Sequence, residues 1–310
     1  MSLGSLFLGI DIGGTTTKLG VVDLDKRTIV DQRSFETPLD SVEHVIVRIG
    51  NEAEKFFERH PLERSIGVGA PGAVNLDRSL IRNPPNLPAW KEVPLKKLLE
   101  ERISHTRIEI DNDAKIATLA EARWGAGEGL QDFVMLTLGT GVGGGLYMNG
   151  TIVRGASGGA GEFGQMSITS DGTPLERLIG QRFLTERALD ELRNSNEESS
   201  LRSYLTSGTL DPKAIYDAAK SGDRFAKHVF HDAGELLGMC CANVTKLLDV
   251  YIYVIGGGVA KAGSYIFDSA LATLHANVLP QQQPHVEIRP AALGANAGMF
   301  GAAILAAESQ

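Results

Sequence analysis

Cysteine is nearly absent from this chain. Its two cysteines, Cys240 and Cys241, are adjacent within a helical pattern. Neighbours on a helix point about 100° apart, so the two thiols are poorly placed to bond each other. A disulfide framework and a cysteine-ligated zinc site are therefore excluded, and the pair reads as small core residues in a reducing cytosol. Basic residues are also few: 30 Lys and Arg against 38 Asp and Glu leave a net charge of −8. That balance favours solubility and gives no footing for nucleic acid or an anionic membrane surface. No apolar run approaches the roughly 18 residues of a membrane span. No basic segment followed by an apolar one opens the chain, so no signal peptide is expected. The Gly-Lys dipeptide is missing too, which removes a Walker-type phosphate loop.

Glycine, by contrast, is plentiful, with 36 in 310 residues, and much of it sits where strands turn. Leu6-Phe7-Leu8-Gly9-Ile10-Asp11-Ile12 runs into Gly13-Gly14-Thr15-Thr16-Thr17-Lys18, and Leu19-Gly20-Val21-Val22 leads away. Apolar runs about a Gly-Gly turn read as a buried hairpin. Backbone N–H groups bared by glycine, threonine hydroxyls and a nearby carboxylate are the parts of a phosphate and Mg²⁺ site. The pattern returns as Phe133-Val134-Met135-Leu136-Thr137-Leu138, Gly139-Thr140-Gly141, then Val142-Gly143-Gly144-Gly145-Leu146. Two such hairpins in one chain imply two related halves, each lending a turn to one polyphosphate. The dinucleotide pattern GxGxxG also occurs, from Gly139 and from Gly159. It requires a helix directly after the strand, and the first match leads into another strand instead.

The remaining pattern alternates strands and helices, which implies α/β layers. Helical spacing marks Val42 to Arg59, and Ser65 to Ala70 is a short buried strand. A proline-rich loop, Pro84-Pro85-Asn86-Leu87-Pro88-Ala89-Trp90, follows. A strand ending in Asp111 meets a helix beginning at Ala114. One helix is expected over 174–193, another over 223–248, and a last one over 295–307, with a flexible surface loop over 194–200. The domain boundary is expected near 113–130: a smaller N-terminal domain over 1–113, rejoined by the final helix at 295–308, and a larger one over 114–294.

Asn112 and Asp113 are the leading candidates for chemistry. A carboxylate at the end of a buried strand can take the proton of a ligand hydroxyl while the amide orients it, and a positioned base is worth about 10²–10⁴-fold. The plainer role for Asp113 is to cap the helix that follows. Glu162, among the glycines of Gly158-Gly159-Ala160-Gly161-Glu162-Phe163-Gly164-Gln165, can grip vicinal hydroxyls by accepting two hydrogen bonds. Glu176 sits in a first helical turn, where carboxylates are favoured. Gly256-Gly257-Gly258, after an apolar strand, marks the close approach of a flat ligand or another backbone.

In this order the segments resemble the ROK family (repressors, uncharacterised reading frames and sugar kinases) of the hexokinase and actin superfamily, from Leu6 to about Ala307. The resemblance implies an α/β fold with two ribonuclease H-like (actin-like ATPase) domains flanking a central cleft. It implies that Gly13, Gly14, Thr15, Thr16 and Lys18 form the first phosphate motif, Gly139, Thr140 and Gly141 the second, and Gly256, Gly257 and Gly258 the adenosine motif. Asp113 would be the general base. Gly72, Asn86, Asn112, Glu162 and Glu176 would line or hold the sugar, and Asp11 would help place Mg²⁺. Many members carry a histidine three residues after the glutamate, followed by zinc-binding cysteines. Here Gln165 holds that position and residues 167–176 contain no cysteine, so no zinc site is expected. Gln165 can still donate to a sugar oxygen.

The activity so implied is ATP- and Mg²⁺-dependent phosphorylation of a hexose, glucose at its 6-hydroxyl foremost. N-acetylmannosamine, N-acetylglucosamine, fructose and allose are alternative acceptors, and a catalytically silent sugar-binding regulator is the alternative of another class. A cytoplasmic homodimer is expected, with no DNA-binding module ahead of the first hairpin and no nucleic-acid or membrane partner.

Overall fold

The computed structural model describes residues 5–309, and the chain forms two compact units. One comprises the residues through Gln131, then Gly145–Gly161, then the chain from Ala292; the other comprises Asp132–Gly144 and Glu162–Ala291. The first unit opens with β1 (Leu6–Ile12), β2 (Thr16–Asp23), β3 (Thr28–Glu36), α1 (Val42–Arg59) and β4 (Ser65–Ala70). Three short strands, β5 (Ala73–Val74), β6 (Ile81–Arg82) and β7 (Glu92–Val93), make a small sheet of their own. Then come α2 (Leu95–Arg102), β8 (Arg107–Asn112) and α3 (Asp113–Trp124). β9 (Phe133–Leu138) begins the second unit, β10 (Val142–Met148) carries the chain back to the first, and β11 (Thr151–Ile152) follows. The second unit continues with α4 (Glu176–Ile179), α5 (Gln181–Asn194), α6 (Tyr204–Ser207), α7 (Pro212–Lys220), α8 (Arg224–Leu248), β12 (Ile252–Gly256), α9 (Ser264–Asn277) and β13 (Glu287–Pro290). The chain closes with α10 (Ala297–Glu308).

The larger sheets run β3-β2-β1-β4-β8 and β11-β10-β9-β12-β13. Ranked by position in the chain, both orders are third, second, first, fourth, fifth. The likeness of the two hairpins thus extends to the sheets that hold them. In the first sheet β1 pairs antiparallel with β2 and parallel with β4, and β4 pairs parallel with β8. Strands buried on both faces read as continuous apolar runs, as β4 does with all six residues buried.

What seats α10 is the lack of side chains beneath it. Gly9 of β1 stands beside Gly67 of β4 in register. The carbonyl oxygens of Met299 and Ala302 lie over these two positions, closer than any Cβ would allow. The helix is apolar on all sides, as a fully enclosed helix must be, and Met299, Phe300, Ala302, Ala303, Ile304 and Leu305 are buried. It packs on β1, β4 and α3.

Two expectations differ from what is observed. Helix α3, placed with the later domain by the expected 1–113 and 114–294 division, belongs to the first unit. The helix expected over 174–193 is two helices, parted where Gly180 is extended at φ −60°, ψ 146°. There the Gln181 N–H leaves the helical pattern to bond the Gly139 carbonyl at 2.9 Å. Residues 195–199 lie outside any helix or strand, and at the end of this surface loop Ser199 Oγ and the Ser200 N–H both donate to Asp223 Oδ2, at 2.9 and 2.8 Å. Gly67→Ala should lower stability by about 1–3 kcal/mol, the usual cost of forcing atoms into a packed core. Gly159→Ala, whose nearest atom would be Ser157 Oγ at 3.8 Å, should leave the midpoint unchanged. Urea titrations of the two variants make the comparison.

Candidate functional site

In the first unit the turn joining β1 and β2 is held from beneath. The Gly13 N–H bonds the Thr16 carbonyl at 3.1 Å. Thr37, which sequence reasoning passed over, donates from Oγ1 to the Gly13 carbonyl at 2.7 Å and meets the buried Thr17 Oγ1 at 2.9 Å. Thr15 at the tip is exposed. Asn86 packs directly on Gly14, so the proline-rich loop rests on this turn. Lys18 Nζ donates to the Ala295 carbonyl at 3.2 Å.

Asn112, not Asp113, caps α3. Its Oδ1 accepts from the Ala114 and Lys115 N–H groups at 3.0 and 3.2 Å, and its Nδ2 donates to the Gly72 carbonyl at 3.1 Å. Gly72 has a positive φ of 96°, which favours glycine. Asp113 is the first helical residue, half-buried, and accepts the Ala114 N–H on Oδ1 at 2.8 Å. The residues flanking this pair hold the chain that precedes Glu162. Asp111, buried, accepts from Arg154 Nη2 at 2.6 Å and Nε at 3.1 Å. Lys115, only 4% exposed, donates its ammonium to the Gly158 carbonyl. Further along α3, the fully buried Glu121 accepts the N–H groups of Ala126, Ala292 and Leu293 at 2.8, 3.1 and 2.8 Å. A lysine and a glutamate on a helix otherwise rich in alanine were the available signal, since charges on an enclosed face need partners.

Asp11 lies half-buried, with Gly298 of α10 against its carboxylate. Burial raises its pKa to about 6, the neighbouring Asp113 charge adds to the rise, and Lys18 opposes it. A carboxylate pushed up in this way is relieved by a cation, and a hard oxygen donor suits Mg²⁺. The residues present therefore fit that ion.

In the second unit the Gly139-Thr140-Gly141 turn closes through a Gly139 N–H bond to the Gly141 carbonyl at 2.9 Å, with Thr140 exposed at its tip. Glu176 turns its carboxylate to this turn, where Oε2 accepts the Val142 N–H at 3.0 Å. Gly257, at φ 95°, lies against the backbone of Leu138, so another backbone does come close at the glycine triplet. Gly258 has Gln181 as its neighbour. Glu162 and Gln165 are exposed, the first capping and the second ending one 3₁₀ turn, Phe163–Gln165, tied by the Gln165 N–H to the Glu162 carbonyl at 3.1 Å. Among the described residues, His228, His231 and Asp232 on α8 form the group with metal-ligand spacing; none of them is among the predicted site residues. A cavity of about 870 Å³ lined by residues such as Glu197, Asp223 and His228 also contains none of those residues. Burial pushes the Cys240 thiol up to about 12 and raises Cys241 well above its usual value, so neither is a nucleophile.

The ROK family model matches residues 7–309. A glucokinase of Halalkalibacterium halodurans is 32% identical, the match covering 98% of this chain and 96% of that one. An N-acetyl-D-glucosamine kinase of Citrobacter koseri is 30% identical over 97% of this chain and 99% of its own. The crystal structure of a ROK family glucokinase from Streptomyces griseus in complex with glucose and AMPPNP superposes with a TM-score of 0.84 at 31% identity, covering 98% of this chain and 99% of that one.

Asp11 generates a pH prediction. In metal-free protein its carboxyl stays protonated up to about pH 6, whereas the unfolded chain ionises near 3.8. Its contribution to stability is therefore intact below the lower value and is lost as pH rises through about 6. Asp11→Asn, neutral throughout, should melt a few degrees above the parent at pH 8 and level with it near pH 4. Thermal melts in EDTA across that range test this, and a constant offset would contradict it.

Proposed function

The chain belongs to the ROK family, and we propose that it transfers the γ-phosphoryl group of ATP to a hexose, D-glucose at the 6-hydroxyl in the first place. The observation that carries this reading is the Asn112-Asp113 pair at the head of α3, with Asp113 electrostatically coupled to Asp11 below the first phosphate turn. An acceptor hydroxyl needs a base, and a polyphosphate needs backbone donors and a cation. The first unit supplies residues suited to each.

On this reading Asp113 accepts the proton of the acceptor hydroxyl as its oxygen attacks the γ-phosphorus, and the bond from that phosphorus to the β,γ-bridging oxygen breaks with ADP as the leaving group. Asn112 has both acceptor sites of Oδ1 committed to the helix N-terminus and one amide hydrogen to Gly72, which fixes its plane and leaves a second amide hydrogen for a sugar oxygen. Gly72 and Asn86 line the sugar, while Glu162, Gln165 and Glu176 hold its hydroxyls. The turns at Gly13, Gly14, Thr15, Thr16 and Lys18, and at Gly139, Thr140 and Gly141, hold phosphate oxygens, and Gly256 to Gly258 receive the adenosine. Asp11 would hold Mg²⁺, directly or through water, and the bound ion would supply neutralisation of phosphate charge. Phosphoryl transfer draws most of its rate from such positioning and electrostatics.

An N-acetylated aminosugar is the second acceptor to be considered, because relatives of similar identity carry that name. Two further parts of the proposal concern setting. Cytoplasmic location is supported by two buried, free thiols; separately, no helix among the described residues is long and apolar enough to cross a membrane. A homodimer is expected by family resemblance, and light scattering would measure it.

ADP release measured against glucose, mannose, fructose, N-acetylglucosamine and N-acetylmannosamine ranks the acceptors. No sugar-stimulated release from any of them would favour the silent regulator. Asp113→Asn should keep sugar affinity while lowering kcat by about 10²–10⁴-fold, and turnover close to the parent's would remove Asp113 as the base.

A further inference from the structure

The proposed sugar ligands of the second unit and its phosphate turn meet at one residue, Val142, whose N–H and carbonyl oxygen are both in contact with the segment. Residues 162–176 form a single folded segment. The Gln165 N–H bonds the Glu162 carbonyl at 3.1 Å, the Leu175 N–H bonds the Met166 carbonyl at 2.9 Å, and Ser167 bridges to Pro174. Both ends of the segment bear on Val142, which directly follows Gly139-Thr140-Gly141. At one end Glu176 Oε2 accepts the Val142 N–H at 3.0 Å and lies so near Gly141 that a Cβ there would overlap the carboxylate. Towards the other end Gly164 sits against the Val142 carbonyl oxygen, again too close for any Cβ. The grip is firmly mounted. Leu175 and Ile179 beside Glu176 are fully buried, and Gln181 holds the Gly139 carbonyl.

We infer that this segment transmits acceptor binding to the phosphate turn, with Glu176 as the positioning residue. The inference rests on the sugar kinase reading above. Glu176 is half-buried and uses one oxygen to hold the turn, which leaves Oε1 for a sugar hydroxyl. A hydroxyl donating to Oε1 fixes the carboxylate plane, and with it the Val142 N–H and the turn before it. The nucleotide then binds a turn whose ordering cost has already been met, which produces positive coupling without any large movement. Such coupling is reciprocal: nucleotide must tighten sugar by the same factor. It also gives a physical reason for ATP to be spared while no sugar is bound, because an exchanging water at Oε1 does not fix the carboxylate plane as a bound polyol does.

Calorimetric titration of the Mg²⁺-loaded protein with AMPPNP, with and without saturating D-glucose or N-acetyl-D-glucosamine, tests the inference. In the parent protein sugar should tighten AMPPNP within the usual range of about 5–150-fold. Glu176→Ala should bring that ratio close to one, while Glu176→Gln, which keeps an acceptor for the Val142 N–H, should remain above it. Hydrogen exchange in the parent protein gives a second measure that does not depend on a variant folding: amides over 139–145 should slow on addition of sugar alone. An unchanged ratio in folded Glu176→Ala, or no slowing over 139–145 when sugar is bound, overturns the coupling and leaves the kinase reading intact. Failure of the parent to bind either sugar overturns that reading and the coupling with it.

Discussion

The close seat of α10 on β1 and β4 is the contact on which the first unit depends. It exists because Gly9 and Gly67 stand side by side and present bare backbone to a helix that has no polar face. A helix set this deep brings Gly298 against Asp11 and Gly301 against the backbone of α3 at Ile116. Thus the carboxylate proposed to hold the cation and the helix that begins with Asp113 are referred to one rigid element. The raised pKa of Asp11 follows from the same packing, since the helix that excludes water from it is what disfavours its charge.

A second theme is the use of side chains to grip backbone rather than one another. Thr37 holds Gly13, Asn112 holds the first turn of α3 and Gly72, Glu121 holds three N–H groups, and Glu176 holds Val142. Each bond satisfies a main-chain group that a glycine-rich turn or a helix end would otherwise leave unpaired. Turns proposed to offer N–H groups to a phosphate cannot also have those groups stitched into a ladder. Their stiffness therefore comes from neighbouring side chains, and these are polar and partly buried.

Much of this architecture is legible in the amino-acid sequence. The two glycine turns, the strands around them and the long helix at 224–248 follow from apolar runs and punctuation, which are local properties. The kinship of the halves was readable in the hairpins and recurs in the strand order of both sheets. Less legible was the break at Gly180. A glycine inside a helical pattern costs about 1 kcal/mol and is often tolerated, and here a bond from Gln181 to a strand turn far back in the chain decides the matter. The buried Lys115 and Glu121 were visible as charges on an apolar helix, but their acceptors and donors at Gly158, Ala292 and Leu293 were not.

By itself the sequence determined which residue types stand at the turns, at the strand ends and at Asp113, because periodicity and glycine placement are written along the chain. It also put Gln165 three residues after Glu162. Tertiary structure alone decided that Asn112 rather than Asp113 caps α3. Capping depends on which side chain can reach two N–H groups while its partner on Gly72 stays in place. Tertiary structure alone also gave Glu176 its hold on Val142, since a carboxylate and an amide 34 residues apart meet only when the chain between them has folded.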